Sequence, residues 1–271
     1  MLFERIAISL LLIPFGIWVI GAGGWLFTLT ITVILCLAAY EYAKLFQRHG
    51  FRPATYLLVI GTLALVLQRH LSAFAHDAFL LALLVLISMT WHAIDFERGA
   101  PQAGTDFALT LAGVLYIGWM GSYFISLRHM PDGVWWFMTA LPAVWLADSA
   151  AYSFGKKLGR HKLAPRLSPK KTWEGYLSGV IFGPLLTLGM VLLWRFGAGP
   201  DSTITLGRAL IVCLMVATVA PIGDLGISML KRQFGVKDTG TLLPGHGGAL
   251  DRIDSWVWAS VIGFYIVTWL T

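Results

Sequence analysis

Long apolar runs fill most of this sequence, and they limit what the chain can fold into. Crossing the hydrocarbon core of a bilayer, roughly 30 Å thick, takes about 20 apolar residues in a helix. Within lipid a helix satisfies its own backbone hydrogen bonds, whereas an open strand leaves them unpaired. The runs therefore predict an all-α, polytopic membrane protein with about nine transmembrane helices, placed approximately at residues 6–21, 24–46, 54–69, 73–94, 106–127, 133–155, 174–195, 206–227 and 256–270.

The composition supports this fold class and excludes others. Hydrophobic residues make up 57% of the chain and charged residues 13%, whereas a soluble domain carries about 25% charged residues. The net charge of +6 does not indicate nucleic-acid binding, because no nucleic-acid motif accompanies it. Cys36 and Cys213 lie inside apolar runs, which predicts packing roles rather than a disulfide or a cysteine metal site.

Lysine and arginine are distributed unevenly between the two sides of the predicted helices. If the N-terminus is cytoplasmic, 16 of these 20 residues lie in cytoplasmic segments and four lie outside. Cytoplasmic loops of membrane proteins carry the excess of positive charge, so this orientation is the one predicted. Two polar loops, residues 156–173 and 228–255, then both face the cytoplasm, where nucleoside triphosphates are found.

Several acidic residues lie within or beside the apolar runs. Asp148 and Asp224 occupy positions where an unpaired carboxylate is costly, so each is expected to face a cavity or a cationic partner. A site role is one interpretation of these residues and a buried ion pair is the other. Glu41 and Lys44, three residues apart near the end of the second predicted helix, are interpreted as an interfacial pair.

Proline and glycine predict interruptions in two of the helices. Gly183-Pro184 lies inside the seventh apolar run, and Pro221-Ile222-Gly223 lies inside the eighth. Proline removes a backbone donor and clashes with the preceding turn. Kinks or half-helices are therefore expected at both places, and the second is directly beside Asp224.

The first polar loop, from Lys156 to Lys171, carries seven cations and no acid. One interpretation is that these charges set the topology and attract anionic lipid headgroups. The other is that the loop ends just before a helix N-terminus, where N–H groups, the helix dipole and lysines together bind a triphosphate, and where Glu174 caps the helix. The residues predicted to bind in this way are Ser168, Lys170, Lys171 and Thr172.

The second polar segment, Ser228 to Asp254, carries the highest density of chemically distinctive residues. The run Pro244-Gly245-His246-Gly247-Gly248 contains three glycines, which let backbone N–H groups approach an anion such as phosphate. Asp251 and Asp254 are three residues apart, so on a helix both carboxylates share one face. Together they could hold a hard cation such as Mg²⁺.

These residues match a longer pattern, and the chain resembles the phosphatidate cytidylyltransferase (CDP-diacylglycerol synthase) family. The resemblance also includes Asp148-Ser149 and the run from Ser168 to Gly175, and so covers most of residues 145–255. Ala249 departs from the pattern, which usually has a larger aliphatic residue there. The matching positions of the second segment are Ser228, Leu230, Lys231, Arg232, Lys237, Asp238, Gly240, Leu243, Pro244, His246, Gly247, Gly248, Asp251, Arg252, Ile253 and Asp254.

The resemblance implies transfer of the cytidylyl group of CTP to phosphatidic acid, with Mg²⁺ as cofactor, alone or with a second cation. The implied catalytic residues are Asp224, Asp251, Lys231, Arg232 and His246. Substrate binding is expected from Ser168, Lys170, Lys171, Thr172, Lys237, Asp238, Gly247, Gly248 and Arg252. The implied metal ligands are Asp224, Asp251, Asp148 and Asp254.

The same resemblance implies a bacterial multi-pass protein of the inner (plasma) membrane, with its active site facing the cytoplasm. CTP, phosphatidic acid, the lipid bilayer and a second copy of the chain are the expected partners, and nucleic acid is not. We expect one domain with two halves: residues 1–132 shape lipid access and subunit contacts, and residues 133–271 carry the catalytic region with loops 156–173 and 228–255.

Two other classes of protein fit parts of the sequence. A transporter, in which Asp148 and Asp224 bind protons or a cation in broken helices, would explain the buried acids. It leaves the cationic loop and the Gly-His-Gly-Gly run without a function. A sibling enzyme that makes a CDP-linked lipid from an ether or isoprenoid phosphate would have a similar site and differ in its lipid-facing helices. A catalytically silent homologue is disfavoured because every motif position named above is filled.

Overall fold

The computed structural model of the chain describes residues 13–240 and 247–271, and helices form nearly all of it. The first helix is described from Ile13 onwards. In chain order the elements are α1 (Ile13–Ala22), α2 (Gly24–Gln47), α3 (Thr55–Ser72), α4 (Asp77–Glu97), α5 (Ala103–Gly113), a π-helix (Val114–Trp119), α6 (Tyr123–His129), α7 (Gly133–Leu158), β1 (Lys162–Ala164), β2 (Ser168–Thr172), α8 (Trp173–Ala198), α9 (Leu206–Val219), α10 (Pro221–Gln233) and α11 (Leu250–Leu270).

Seven helical stretches in the described part of the chain are long and apolar enough to cross a membrane. The predicted helical membrane fold is thus confirmed, and the described residues also form a short antiparallel hairpin of β1 and β2. The number of nine spans is not confirmed, and the orientation of the N-terminus stays a prediction. The seven stretches are Gly24–Gln47, Thr55–Ser72, Asp77–Glu97, Ala103–His129, Trp173–Ala198, Leu206–Gln233 and Leu250–Leu270.

Of the two predicted interruptions, the one at Pro221 divides a helix and the one at Pro184 does not, while a kink at Pro184 stays a prediction. The eighth run divides at Ala220 into α9 and α10, and Pro221 occupies the first turn of α10, where its missing N–H has no intrahelical role. By contrast, α8 continues through Pro184 for 26 residues, so no half-helices form there. The fifth run contains a π-helix, Val114–Trp119, that the sequence analysis does not predict.

The structure divides into two compact units. The first comprises Met1–Ser126 together with Asp238–Arg252, and the second comprises Leu127–Lys237 together with Ile253–Thr271. The first unit thus contains part of the second polar segment in addition to the N-terminal helices. The predicted functional division at residue 132 stays a prediction.

In the second unit, α7 and α8 pack closely through small residues. Gly175, Gly179 and Gly183 recur every four residues along α8 and therefore lie on one face. A Cβ built at Gly179 would lie 2.8 Å from the backbone oxygen of Ala147, and one at Gly183 would lie 2.7 Å from the Ala147 Cα. Small residues allow this close approach of two helix backbones, and it holds the N-terminal end of α8 beside α7.

Adding one methyl group at this contact should destabilise the protein. We expect Gly183→Ala to lower the free energy of unfolding by about 1–3 kcal/mol, the usual effect of overpacking, and to lower Tm measured in detergent. Gly189→Ala on the same helix is the matched control, because a Cβ at Gly189 has no atom within 4 Å. Equal Tm values for the two variants would contradict this account of the packing.

Candidate active site

The cationic hairpin leads directly into α8. Strand β2 pairs with β1, so that Lys162 lies opposite Thr172 and Ala164 lies opposite Ser168. Thr172 is the N-cap of α8, and its Oγ1 accepts a hydrogen bond from the Gly175 N–H at 3.2 Å. The predicted position of Ser168–Thr172 just before a helix N-terminus is therefore confirmed, and its role in binding substrate stays a prediction.

Glu174 does not cap α8, so that prediction is wrong. Its carboxylate accepts hydrogen bonds from the backbone N–H groups of Arg160 at 3.0 Å and His161 at 3.2 Å. It also lies 2.6 Å from Nδ1 of His161. The Thr172 hydroxyl takes the capping position because the N-cap side chain reaches the third N–H of a helix. Glu174 instead ties the chain entering the hairpin to the first turn of α8.

An ion pair joins the end of β2 to the first turn of α10. Lys171 Nζ lies 2.5 Å from Asp224 Oδ2, with 28% and 31% of the two side chains exposed. Asp148, on α7, is within electrostatic reach of both groups. Ser228 Oγ is 3.4 Å from the second oxygen of Asp224. The structure thus brings together two carboxylates and one lysine, which leaves one negative charge uncompensated within this group.

Helix α11 passes next to Asp224 within the second unit. A Cβ at Gly223 would overlap the backbone carbonyl of Asp254 and lie 2.5 Å from Trp258 Cδ1. Only glycine permits this contact between α10 and α11. Asp254 is 8% exposed, and its Oδ1 accepts a hydrogen bond from the Ser255 N–H at 2.6 Å. Asp254, a predicted metal ligand, therefore lies next to Gly223, the residue before Asp224.

The C-terminal end of α10 contacts the loop of the hairpin. Arg232 Nε donates to the backbone oxygen of Leu167 at 3.4 Å, and its Nη1 donates to that of Val236 at 3.0 Å. Lys231 is buried, with 8% of its surface exposed, and Lys237 is exposed. The predicted cations Lys170, Lys171, Lys231, Arg232 and Lys237 thus all lie in the second unit, whereas Arg252 belongs to the first.

In the first unit, Asp251 at the start of α11 contacts Thr239 and Gly248 of the second polar segment. Asp251 Oδ2 accepts three hydrogen bonds, from Thr239 N at 2.8 Å, Thr239 Oγ1 at 2.9 Å and Gly248 N at 3.0 Å. Gly247 has a φ of +76°, which favours glycine. A Cβ there would lie 3.1 Å from Asp251 Oδ2 and 3.5 Å from Asp238 Oδ1, so Gly247 is adjacent to two of the predicted site residues.

The sequence analysis missed Glu41, which also contacts this segment. Glu41 is 4% exposed and accepts a hydrogen bond from the Leu250 N–H at 3.0 Å. Its predicted pairing with Lys44 is wrong, because Lys44 Nζ instead lies 5.4 Å from the ring centroid of Tyr40. The signal in the sequence was that Glu41 is the single acidic residue among the apolar residues of α2.

Not every predicted site residue can be placed in one group. His246 lies outside the described residues, and Arg252 is exposed at the start of α11. Asp148, Asp224 and Lys171 belong to the second unit, whereas Asp251 belongs to the first. The predicted residues therefore form two clusters, one in each unit.

The carboxylates fit a magnesium ion that takes part of its coordination from a substrate. No three His, Cys, Asp or Glu side chains within residues 13–240 and 247–271 converge as a complete metal site. Mg²⁺ prefers oxygen ligands and commonly binds one or two carboxylates together with water and substrate phosphates. The carboxylate oxygens of Asp224 and Asp148 are donors of the kind that suits such an ion.

Comparisons with known proteins identify the family to which the chain belongs. The sequence pattern of the cytidylyltransferase family matches residues 3–270. A phosphatidate cytidylyltransferase of Synechocystis is 33% identical over 98% of this chain and 97% of its own length. One from Pseudomonas aeruginosa is 34% identical over 99% and 97%, and one from Staphylococcus aureus is 35% identical over 73% of each chain. The chain therefore belongs to the cytidylyltransferase family.

Proposed function

We infer that this protein transfers the cytidylyl group of CTP to phosphatidic acid, giving CDP-diacylglycerol and pyrophosphate. The observation that carries this inference is the Lys171–Asp224 ion pair at the N-terminus of α8, in a chain whose full-length relatives are phosphatidate cytidylyltransferases. A lysine and a capped helix N-terminus attract phosphate, and the adjacent carboxylates suit the cation that accompanies a nucleoside triphosphate.

The reaction joins two anions, so the site must reduce their mutual repulsion. An oxygen of the lipid phosphate forms a bond to the α-phosphorus of CTP, and the bond from that phosphorus to the bridging oxygen of the β-phosphate breaks. Pyrophosphate leaves with the electron pair. Because the lipid phosphate is already ionised at neutral pH, the protein does not need to supply a general base. Its contribution is orientation and stabilisation of charge.

The described residues suggest a role for each part of the second unit. We propose that Lys170, Lys171 and the N-terminus of α8 bind phosphate groups of CTP. Asp224 would hold the Lys171 ammonium group in position through their ion pair. Lys231 and Arg232 would stabilise the other phosphate or the departing pyrophosphate. Lysine acts as a mobile point charge on phosphate, whereas arginine can form two parallel hydrogen bonds.

In the first unit, we propose that the backbone at Gly247 and Gly248 admits the nucleotide, with Asp251 as a metal ligand. In the second unit, Asp224 is proposed as a metal ligand, supported by Asp148 or Asp254. When bound, Mg²⁺ would neutralise charge on the phosphates. Ser168, Thr172, Lys237, Asp238, Arg252 and His246 are proposed as the further residues of the site on the strength of the family resemblance.

The protein is a multi-pass membrane protein by its apolar helices. We propose that it resides in a bacterial inner membrane with the site facing the cytoplasm, because most lysine and arginine residues fall in the loops that this orientation makes cytoplasmic. A homodimer is also proposed, from the family resemblance alone.

Product formation by the purified chain tests the function. With CTP, phosphatidic acid and Mg²⁺ in detergent, we expect CDP-diacylglycerol and pyrophosphate in equal amounts, and neither when EDTA removes the metal. Metal-dependent CTP binding without turnover of phosphatidic acid would indicate a different lipid phosphate as acceptor. Absence of CTP binding would contradict the proposal and favour a transporter.

A further inference from the structure

The first unit contains a buried carboxylate that the proposed function does not use. Glu41 Oε2 accepts a hydrogen bond from the N–H of Leu250, the first residue of α11. The first N–H groups of a helix have no intrahelical acceptor, and negative charge near a helix N-terminus is stabilising. Glu41 therefore fixes the start of the helix one residue before Asp251.

Thr239 provides a second connection between Glu41 and Asp251. Its Oγ1 lies 3.4 Å from Glu41 Oε2 and 2.9 Å from Asp251 Oδ2, and the residue is 2% exposed. A hydroxyl has one proton to donate, so two carboxylates share one donor. Glu41 and Asp251 are therefore connected through one hydroxyl group.

Two glycines allow the polar segment to close around Glu41. A Cβ at Gly240 or at Gly248 would overlap the Glu41 carboxylate. The Gly248 N–H also donates to Asp251, so the same residue contacts both acids. Glycine is therefore needed at both positions for packing against Glu41, independently of any bound ligand.

Several residues of α2 near Glu41 are buried and hold this part of the helix in place. The next residue, Tyr42, is 4% exposed and donates a hydrogen bond to the backbone oxygen of Leu109 at 3.1 Å. Ala38 and Leu45, on the neighbouring turns, are also buried. Glu41 Oε1 has no hydrogen-bond partner among the described residues. The buried neighbours on α2 hold the helix in place around Glu41, which is itself buried.

We propose that Glu41 is a positioning residue for the transferase: by holding Leu250 and Thr239, it fixes the orientation of the Asp251 carboxylate. It acts through these residues and not by contact with substrate. The inference rests on the proposed role of Asp251 as a metal ligand, and the experiment below separates the two.

Three variants test the proposal. Glu41→Leu removes the acceptor, and we expect it to lower kcat about 10-fold or more and to raise the Mg²⁺ concentration at half-maximal rate, as loss of a ligand's supporting contact does. It should also reduce the increase in Tm that Mg²⁺ and CTP produce together. Glu41→Gln retains an oxygen for the Leu250 N–H and should stay close to wild type. Glu97→Leu, at an exposed helix end, is the control for a lost glutamate.

Normal kcat, Mg²⁺ dependence and ligand-induced Tm shift in Glu41→Leu would overturn the proposal. So would a Glu41→Gln variant impaired as strongly as Glu41→Leu, because the amide oxygen restores the acceptor. If Glu41→Leu does not fold, Thr239→Val provides the test: it removes the shared hydroxyl and should change the Mg²⁺ dependence in the same direction, and an unchanged dependence would overturn the proposal.

The double variant Glu41→Leu/Thr239→Val and the single variant Asp251→Asn show whether an unexpected result contradicts the role of Glu41 or that of Asp251. If Glu41 acts through Thr239, Glu41→Leu/Thr239→Val should be no worse than the worse single variant, whereas additive losses indicate independent roles and count against the inference. An active Asp251→Asn variant would remove the proposed role of Asp251 itself. An inactive Asp251→Asn variant beside a normal Glu41→Leu variant would remove only the inference about Glu41.

Discussion

Replacing Asp224 with asparagine is expected to lower kcat for CDP-diacylglycerol formation about 100-fold or more, the range seen when a single charge-stabilising group is lost from an active site. Asparagine keeps the size of the side chain and removes its charge. The Lys171 ammonium group, 2.5 Å from Asp224, loses its ion-pair partner, and the proposed metal site loses a ligand. Steady-state kcat and KM for CTP, measured at saturating Mg²⁺, test this expectation.

Two further variants show whether the loss is specific. Asp201→Asn, in the exposed connection between α8 and α9, removes a carboxylate elsewhere and should leave both constants unchanged. Lys171→Met should raise KM for CTP, because it removes the proposed phosphate contact. Near-normal turnover of Asp224→Asn would contradict the role given to this carboxylate, and unchanged kcat and KM in Lys171→Met would contradict phosphate binding by the lysine.

Local features of the site could be predicted from the sequence, but its pairings could not. The cationic loop ends immediately before α8, and this placement follows from neighbouring residues. Asp148 and Asp224 were recognised because a carboxylate in an apolar run needs a partner. That Lys171 is the partner of Asp224 depends on how α8 packs beside α9, where the Tyr176 hydroxyl donates to the backbone oxygen of Thr218 at 2.8 Å. Neither residue's sequence neighbourhood encodes this contact.

Glu41 shows how a local explanation can hide a distant contact. Lys44 lies three residues away and offered an adequate partner on the helix surface. The actual contacts, Thr239 and Leu250, lie 198 and 209 residues away along the chain. Glu41, like Asp148, is a carboxylate among apolar residues, and each therefore requires a hydrogen-bond donor or a cation as a partner.

The helix interruptions differ for a similar reason. Pro221 could begin a new helix because the chain already breaks at Ala220, whereas Pro184 lies in a helix held along its length by its contact with α7. A proline weakens a helix locally, but tertiary packing decides whether the helix continues. The π-helix at Val114–Trp119 has no local residue pattern that predicts it.

Replacing Asp251 with asparagine should also lower kcat about 100-fold or more, with little change in Tm. The amide oxygen can occupy the position of Oδ2 and keep the hydrogen bonds from Thr239 and Gly248, so the start of α11 should remain folded. The charge needed to hold Mg²⁺ is lost. We therefore expect the increase in Tm produced by Mg²⁺ with CTP to disappear along with turnover.

Asp251→Ala separates this loss of charge from loss of structure. It removes the acceptor of three hydrogen bonds, each contributing about 1 kcal/mol, so it should lower Tm as well as kcat. If Asp251 served only to hold the segment together, Asp251→Asn would keep its activity because its hydrogen bonds survive, and Asp251→Ala alone would be impaired. An active asparagine variant beside an impaired alanine variant would therefore make Asp251 a structural residue, and the metal ligands would have to be sought around Asp224.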